Sequence, residues 1–142
     1  MTAPSIPTWP VVTDDSRCPC LSTLPYGECC APAHRGEQPS PTAERLMRSR
    51  YSAFVVGDEP YLLATWHPKT RPTRVELDRA QRFFRLDIVS TSGGGMLATT
   101  GTVEFVARYK LDGHAAELHE TSRFLAEFGR WFYLDGTIHA HG

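Results

Sequence analysis

The sequence predicts an α+β domain: a long, bent antiparallel sheet of about four strands, covered by helices that precede it, with a small cysteine knuckle at the N-terminal end. Three observations carry this. β-branched and aromatic residues dominate from Arg82 onward, cut by Gly93-Gly94-Gly95, Asp112-Gly113 and Phe128-Gly129. An apolar stripe at helical spacing runs over Ala43, Leu46, Met47, Tyr51 and Phe54. The four cysteines all lie within thirteen residues, as Cys18-Pro19-Cys20 and Cys29-Cys30.

Taken in chain order, the first 39 residues form a segment rich in proline and cysteine, with the knuckle at 18–30, and residues 40–142 form the α+β domain. Pro25 and Gly27 let the loop between the cysteine pairs reverse. Ser40-Pro41 reads as a helix start, with Ser40 as cap, and Gly57 ends that helix, while Arg45 and Arg48 stay off its apolar stripe. Asp58-Glu59-Pro60 opens a shorter helix, Tyr61 to Trp66, which His67-Pro68 stops because a residue before proline disfavours helical geometry. Lys69 to Arg79 is irregular and charged, a connecting loop. Asp-Gly supplies the positive φ of a two-residue reversal, so Met96–Leu111 and His114–Phe128 pair as a hairpin. Val103, Phe105, Ala107 and Tyr109 share one face of it, and Glu104, Arg108 and Lys110 the other, with Val106 among them. Strands of that length bend at bulges, for which Gly101 is a candidate. The concave face of such a sheet can enclose a pocket.

Composition narrows the function. At 142 residues and 41% hydrophobic the chain supports one core, and its net charge of -1 gives no global field for polyanions, so nucleic-acid binding is not expected. The charge is uneven, running -3, +5 and -3 over residues 1–44, 45–85 and 86–142, which makes the middle either a modest docking surface or a solvated face. No stretch reaches the roughly 18 apolar residues of a membrane helix, and Met1 to Val12 lacks the basic start of a signal peptide. The expectation is a soluble cytoplasmic protein without a membrane partner. No phosphate-binding or dinucleotide fingerprint occurs, and Ser22, Ser49 and Ser52 lack a nucleophile-elbow setting.

The cysteines carry the clearest chemistry. Neighbouring cysteines cannot bridge each other without strain, which leaves cross-paired disulfides, a tetrathiolate metal site, or four free thiols. Four thiolates on two turns suit zinc, with iron as the alternative metal, and they close the coordination shell. Such a site is structural or a docking knuckle rather than catalytic. His34, four residues past Cys30, is a spare ligand.

Cys18-Pro-Cys followed by Cys29-Cys30-Ala-Pro resembles the SEC-C zinc motif, also found at the tail of the SecA preprotein translocase. Leu46-Met-Arg-Ser-Arg-Tyr-Ser-Ala-Phe54, Thr65-Trp-His-Pro68, Ser122-Arg-Phe124 and Trp131-Phe-Tyr-Leu-Asp-Gly136 resemble the NTF2-like domain of the YchJ-like family of uncharacterised bacterial proteins. The resemblance spans Cys18 to Gly136. It implies an NTF2-like fold and zinc ligands Cys18, Cys20, Cys29 and Cys30, the last standing where the translocase motif has histidine, which favours Cys30 over His34. Where the motif has Gly-Ser-Gly this chain has Leu21-Ser22-Thr23, which predicts backbone strain in that turn and weaker metal binding. A second copy of the motif, carried by many relatives at the C-terminus, is absent from this sequence, so functions that need two knuckles are not expected.

Within an NTF2-like layout, Arg50, Tyr51, Trp66 and His67 lie on the helices' inner side and Glu120, Arg123, Tyr133 and Asp135 on strands, where together they line a pocket. An acid–base enzyme there would use His67 or Asp135 as base and Tyr51 to stabilise an oxyanion. The competing arrangement pairs Arg50 or Arg123 with Glu120 or Asp135 in a partly buried ion network. Trp66, Trp131, Phe83, Phe84 and Phe105 read as core and pocket wall. His139 and His141 read as tail residues rather than a second metal site. The function expected is non-catalytic: a zinc knuckle that docks on a macromolecule, of ribosome or protein-export type, attached to a domain that binds a small molecule or forms a homodimer. An isomerase or dehydratase working in the cavity is the alternative.

Overall fold

The computed structural model describes residues 8–139. His141 lies outside them. The chain begins with a knuckle in which Arg17 and Pro25 form an antiparallel bridge, Cys18 N–H donates to Leu24 O at 3.0 Å, and Tyr26–Glu28 makes a single 3₁₀ turn. Three helices follow, α1 (Ala31–His34), α2 (Ala43–Val56) and α3 (Glu59–Ala64), then four strands, β1 (Arg82–Gly93), β2 (Thr100–Leu111), β3 (His114–Glu127) and β4 (Arg130–Ile138). The strands make one antiparallel sheet in the order β1-β2-β3-β4. Among the described residues no helix is long and apolar enough to cross a membrane.

Helix α2 is capped by Thr42, whose hydroxyl accepts from Arg45 N–H, rather than by Ser40. Pro41 stays outside the helix because its carbonyl accepts from the Trp131 indole at 3.2 Å, and the Ala43 amide donates to Gly94 O. The second helix runs two residues earlier than expected, because Asp58 caps it by accepting from Tyr61 N–H and Pro60 suits its first turn. Trp66 and His67 leave the helix to pair with β4: Tyr133 N–H donates to Thr65 O and His67 N–H to Tyr133 O, both at 2.8 Å. This lays Trp66 beside Tyr133.

The two tight hairpins place Asp112-Gly113 and Phe128-Gly129 at positive φ (52°, 77° and 55°, 77°), the mirror-image turn geometry that matches strand twist. The triple glycine instead opens a longer connection, so β2 starts at Thr100 and not at Met96. Gly101 is not a bulge. It pairs regularly with Gly93 and Phe124, and its missing side chain lets Gly94 pass, since a Cβ would lie 2.5 Å from Gly94 Cα. The register shifts fall after Phe83 and Ile88 on β1 and at Leu134 on β4. The first of these turns Phe84 outward, half exposed beneath the Lys110 ammonium, so Phe84 is not a core residue.

The inner sheet face follows the expected alternation, with Val103, Phe105 and Ala107 at 4% exposure or less. It packs on α2 through Leu46, Met47 and Tyr51. The four cysteines belong to the same buried cluster, so α2 lies between the sheet and the knuckle. That position explains why polar Ser49, Arg50 and Ser52 are buried along with its apolar stripe.

Candidate functional sites: a tetrathiolate centre and a cavity under the sheet

The knuckle brings four sulfurs to one point. All lie within 4.8 Å of one another, with Cys20–Cys29 at 3.6 Å and Cys29–Cys30 at 3.9 Å, and every cysteine is free and buried. A tetrahedron with metal–sulfur bonds of about 2.3 Å has edges of about 3.8 Å, so these spacings fit a cation-centred tetrathiolate, whereas a disulfide needs about 2.05 Å. Hydroxyls complete the shell. Ser22 lies 3.0 Å from Cys29 Sγ, and Ser52 of α2 lies 3.4 Å from Cys30 Sγ and 3.6 Å from Cys18 Sγ. Arg48 Nη1 donates to Cys20 O at 2.9 Å, tying the first turn to α2.

The thiols do not share charge evenly. Hydrogen bonds, from Cys18 first and then Cys30, hold the Cys20 thiol far below its ordinary range, burial pushes Cys29 up to about 11, and the reciprocal bonds push Cys30 up. Four thiolates gathered at one point need a cation at the centre, so metal uptake releases protons.

Neither serine was singled out by the sequence as a partner of sulfur. Ser22 sits within the knuckle, but Ser52 is 22 residues past Cys30 and reaches it only through tertiary packing. His34 is engaged elsewhere. Its Nε2 faces Ser49 O at 2.8 Å, an atom that only accepts, so Nε2 carries the hydrogen and Nδ1 accepts from the Tyr26 hydroxyl at 2.6 Å. Burial lowers the pKa of this imidazole. His34 is thus a strut between knuckle and helix.

The expected pocket residues divide. Arg50, Tyr51, Trp66, Glu120 and Tyr133 line one cavity of about 230 Å³ between α2 and the concave sheet, with Met47, Phe83, Phe105 and Leu118 in its wall. Arg123 and Asp135 do not line it. They pair with each other on the exposed face, Arg123 Nε to Asp135 Oδ1 at 2.6 Å, because both side chains alternate away from the core. His67 does not line it either. It packs edge-on to Phe132, accepts from Lys69 N–H through Nδ1 and lies 3.1 Å from Glu127 through Nε2, rather than capping carbonyls of α3. The proposed base and Tyr51 therefore do not meet in one cavity, and of the expected arginine–carboxylate pairs Arg123–Asp135 forms, on the exposed face rather than partly buried, while Arg50 has no such pair among the described residues.

Arg50 is 4% exposed and has no carboxylate within 4.0 Å among the described residues. Its guanidinium donates to Leu62 O (2.8 Å) and Thr65 Oγ1 (2.7 Å) and lies 4.6 Å from the Tyr133 ring centroid and 5.3 Å from that of Trp66. Burial lowers its pKa to about 10, which leaves it cationic at neutral pH. The Tyr51 hydroxyl and the Trp66 indole N–H are buried without a hydrogen-bond partner among the described residues. A larger cleft of about 350 Å³ beside α1 and α3 contains no such orphaned atom among the described residues.

Comparison with known proteins now places the chain. Residues 42–136 match the family described as YchJ, middle NTF2-like domain. The chain belongs to the YchJ family. An UPF0225 protein of Corynebacterium glutamicum is 51% identical over 86% of this chain and 97% of its own length, and one of Streptomyces coelicolor is 50% identical over 84% and 93%. A SEC-C motif containing protein from Rhodopseudomonas palustris, solved in solution, superposes with TM-score 0.75 at 31% identity, covering 87% of this chain and 99% of that one. A second such protein, a crystal structure from Psychrobacter arcticus, gives TM-score 0.71 at 27% identity over 91% and 86%. This YchJ-family chain combines a SEC-C cysteine cluster with an NTF2-like domain.

Proposed function

We propose that this chain is a zinc-knuckle binding protein: Cys18, Cys20, Cys29 and Cys30 hold one zinc ion, the knuckle docks on a macromolecular partner, and the NTF2-like domain holds a small molecule. The convergence of four buried sulfurs at tetrahedral spacing carries this reading. Bound there, zinc supplies a cross-link between the two halves of the knuckle and the charge that lets four thiolates lie together. The protein's own groups do the rest. Ser22 and Ser52 donate to sulfur, and Arg48 fixes the Cys18–Cys20 turn on α2. Four thiolates leave no open position for a substrate, so the chemistry favours a fastener and contact point. Leu21 and Leu24, about half and two-fifths exposed at the turn, are the apolar surface it offers a partner.

The partner class is of ribosome or protein-export type, supported by the likeness of the cysteine motif to that of the translocase tail. Affinity capture with wild type and Cys29→Ser, from the same cells, tests docking: partners retained by wild type and lost by the variant are expected, and identical sets contradict it. Elemental analysis of the purified chain decides between zinc and iron. The enzyme reading draws on the same cavity, but the pairing of His67 or Asp135 with Tyr51 is not assembled there, and what lines the cavity is one cation, the Glu120 carboxylate, two orphaned donors and an apolar wall.

A further inference from the structure

We infer that the cavity between α2 and the sheet takes a small, mainly apolar monocarboxylate, such as an arylacetic or medium-chain alkanoic acid, with Arg50 as counter-ion and Tyr51 and Trp66 as hydrogen-bond donors. The inference rests on the ligand-holding reading of the NTF2-like domain and names its ligand class.

Three independent observations point the same way. First, Arg50 is a buried cation whose visible partners are a carbonyl, a hydroxyl and two ring faces, with no carboxylate in contact. A buried charge is retained when it is paired; Glu120 of the same cavity acts on Arg50 only from beyond 4.0 Å, which leaves the contact position open to an anion. Second, Trp66 Nε1 can only donate and is buried with nothing to donate to, and the Tyr51 hydroxyl, on a residue 2% exposed, is likewise unpartnered. Orphaned polar atoms in a folded core are rare, and both residues line this cavity, so each offers a donor to an acceptor bound there. Third, the remaining wall is apolar, from Met47, Phe54, Phe83, Phe105 and Leu118, and a volume of about 230 Å³ exceeds the roughly 150 Å³ cavity that accommodates benzene, leaving room for a ring with a short acidic arm.

Glu120 also lines the cavity, with its Oε2 occupied by the Ser122 hydroxyl. Its charge opposes an anionic ligand and favours a cationic one, which makes it the discriminating position.

Isothermal titration calorimetry of the full chain with three matched probe series, acids (phenylacetate, hexanoate), the corresponding amides and the corresponding amines, tests the inference. At least one acid is expected to saturate a single site about tenfold more tightly than its amide. Tyr51→Phe weakens that acid about tenfold, the scale of a charge-assisted hydrogen bond, while its own melting temperature stays at or above wild type, because the hydroxyl it removes has no partner in the fold. Glu120→Gln tightens it several-fold. Amides binding as well as acids, or amines binding best with Glu120→Gln weakening them, overturns the carboxylate class but leaves the ligand-holding domain standing. If no member of any series binds, both fall.

Discussion

Leu21 and Thr23 occupy the left-handed region at φ 64° and 78°, the two positions where the related motif has glycine. A side chain costs roughly 1–2 kcal/mol there, and more for a β-branched threonine. The turn keeps this geometry because it aims Cys20 and Ser22 at the shared centre. Thr23→Gly relieves the crowding at the expense of chain entropy, so a gain of about 1 kcal/mol is expected, read as a melting temperature a few degrees higher. Phe128, 93% exposed at φ 55°, is another such position, and Phe128→Asn should add a similar increment. An unchanged or lower melting temperature in either variant contradicts the strain. His34 gives a pH signature. Burial depresses its folded pKa below the ordinary 6.5, so above that value both states are neutral and nothing is lost. As pH falls through 6.5 the unfolded chain takes up a proton the folded one resists, and stability declines. The stability difference between wild type and His34→Gln, measured by denaturant titration at stepped pH, should therefore move against wild type below pH 6.5, and a constant difference contradicts it.

Helix α2 is the element on which both sites depend, with Ser52 toward the sulfurs and Arg50 and Tyr51 toward the cavity. Outer partners of metal ligands commonly carry ten- to hundredfold in affinity. Ser52→Ala should thus lower zinc affinity about tenfold in competition with a chromophoric chelator while leaving the sheet intact, and an unchanged affinity would reduce Ser52 to packing. The sheet and its hairpins were legible in the sequence because Asp112-Gly113 and Phe128-Gly129 encode local turn geometry. The bulges were not, since the extra residues Phe84, Val89 and Leu134 record how β1 and β4 bend over α2, a tertiary fact. The same divide runs through the sites. Cysteine spacing announces the knuckle, but Ser52 meets Cys30 only after α2 has docked, and Arg123 and Asp135 left the pocket once strand alternation set their face. Capping chemistry was the nearer miss, with Thr42 two residues past Ser40 and better placed to accept from the first free amides.

Over the whole molecule the tetrathiolate centre joins the N-terminal segment to the domain that contains the cavity, since the cysteines share one buried cluster with Leu46, Met47 and Tyr51. Removing the cation leaves thiols of unequal acidity packed under α2, so chelation should lower thermal stability as well as release the knuckle. The central claim is that these four sulfurs hold one ion. Native mass spectrometry of the purified chain tests it most directly: the account predicts a single species heavier than the apo chain by one zinc ion less the displaced protons. A spectrum of apo chain alone, or of a chain lighter by the hydrogens of two disulfides, would contradict it.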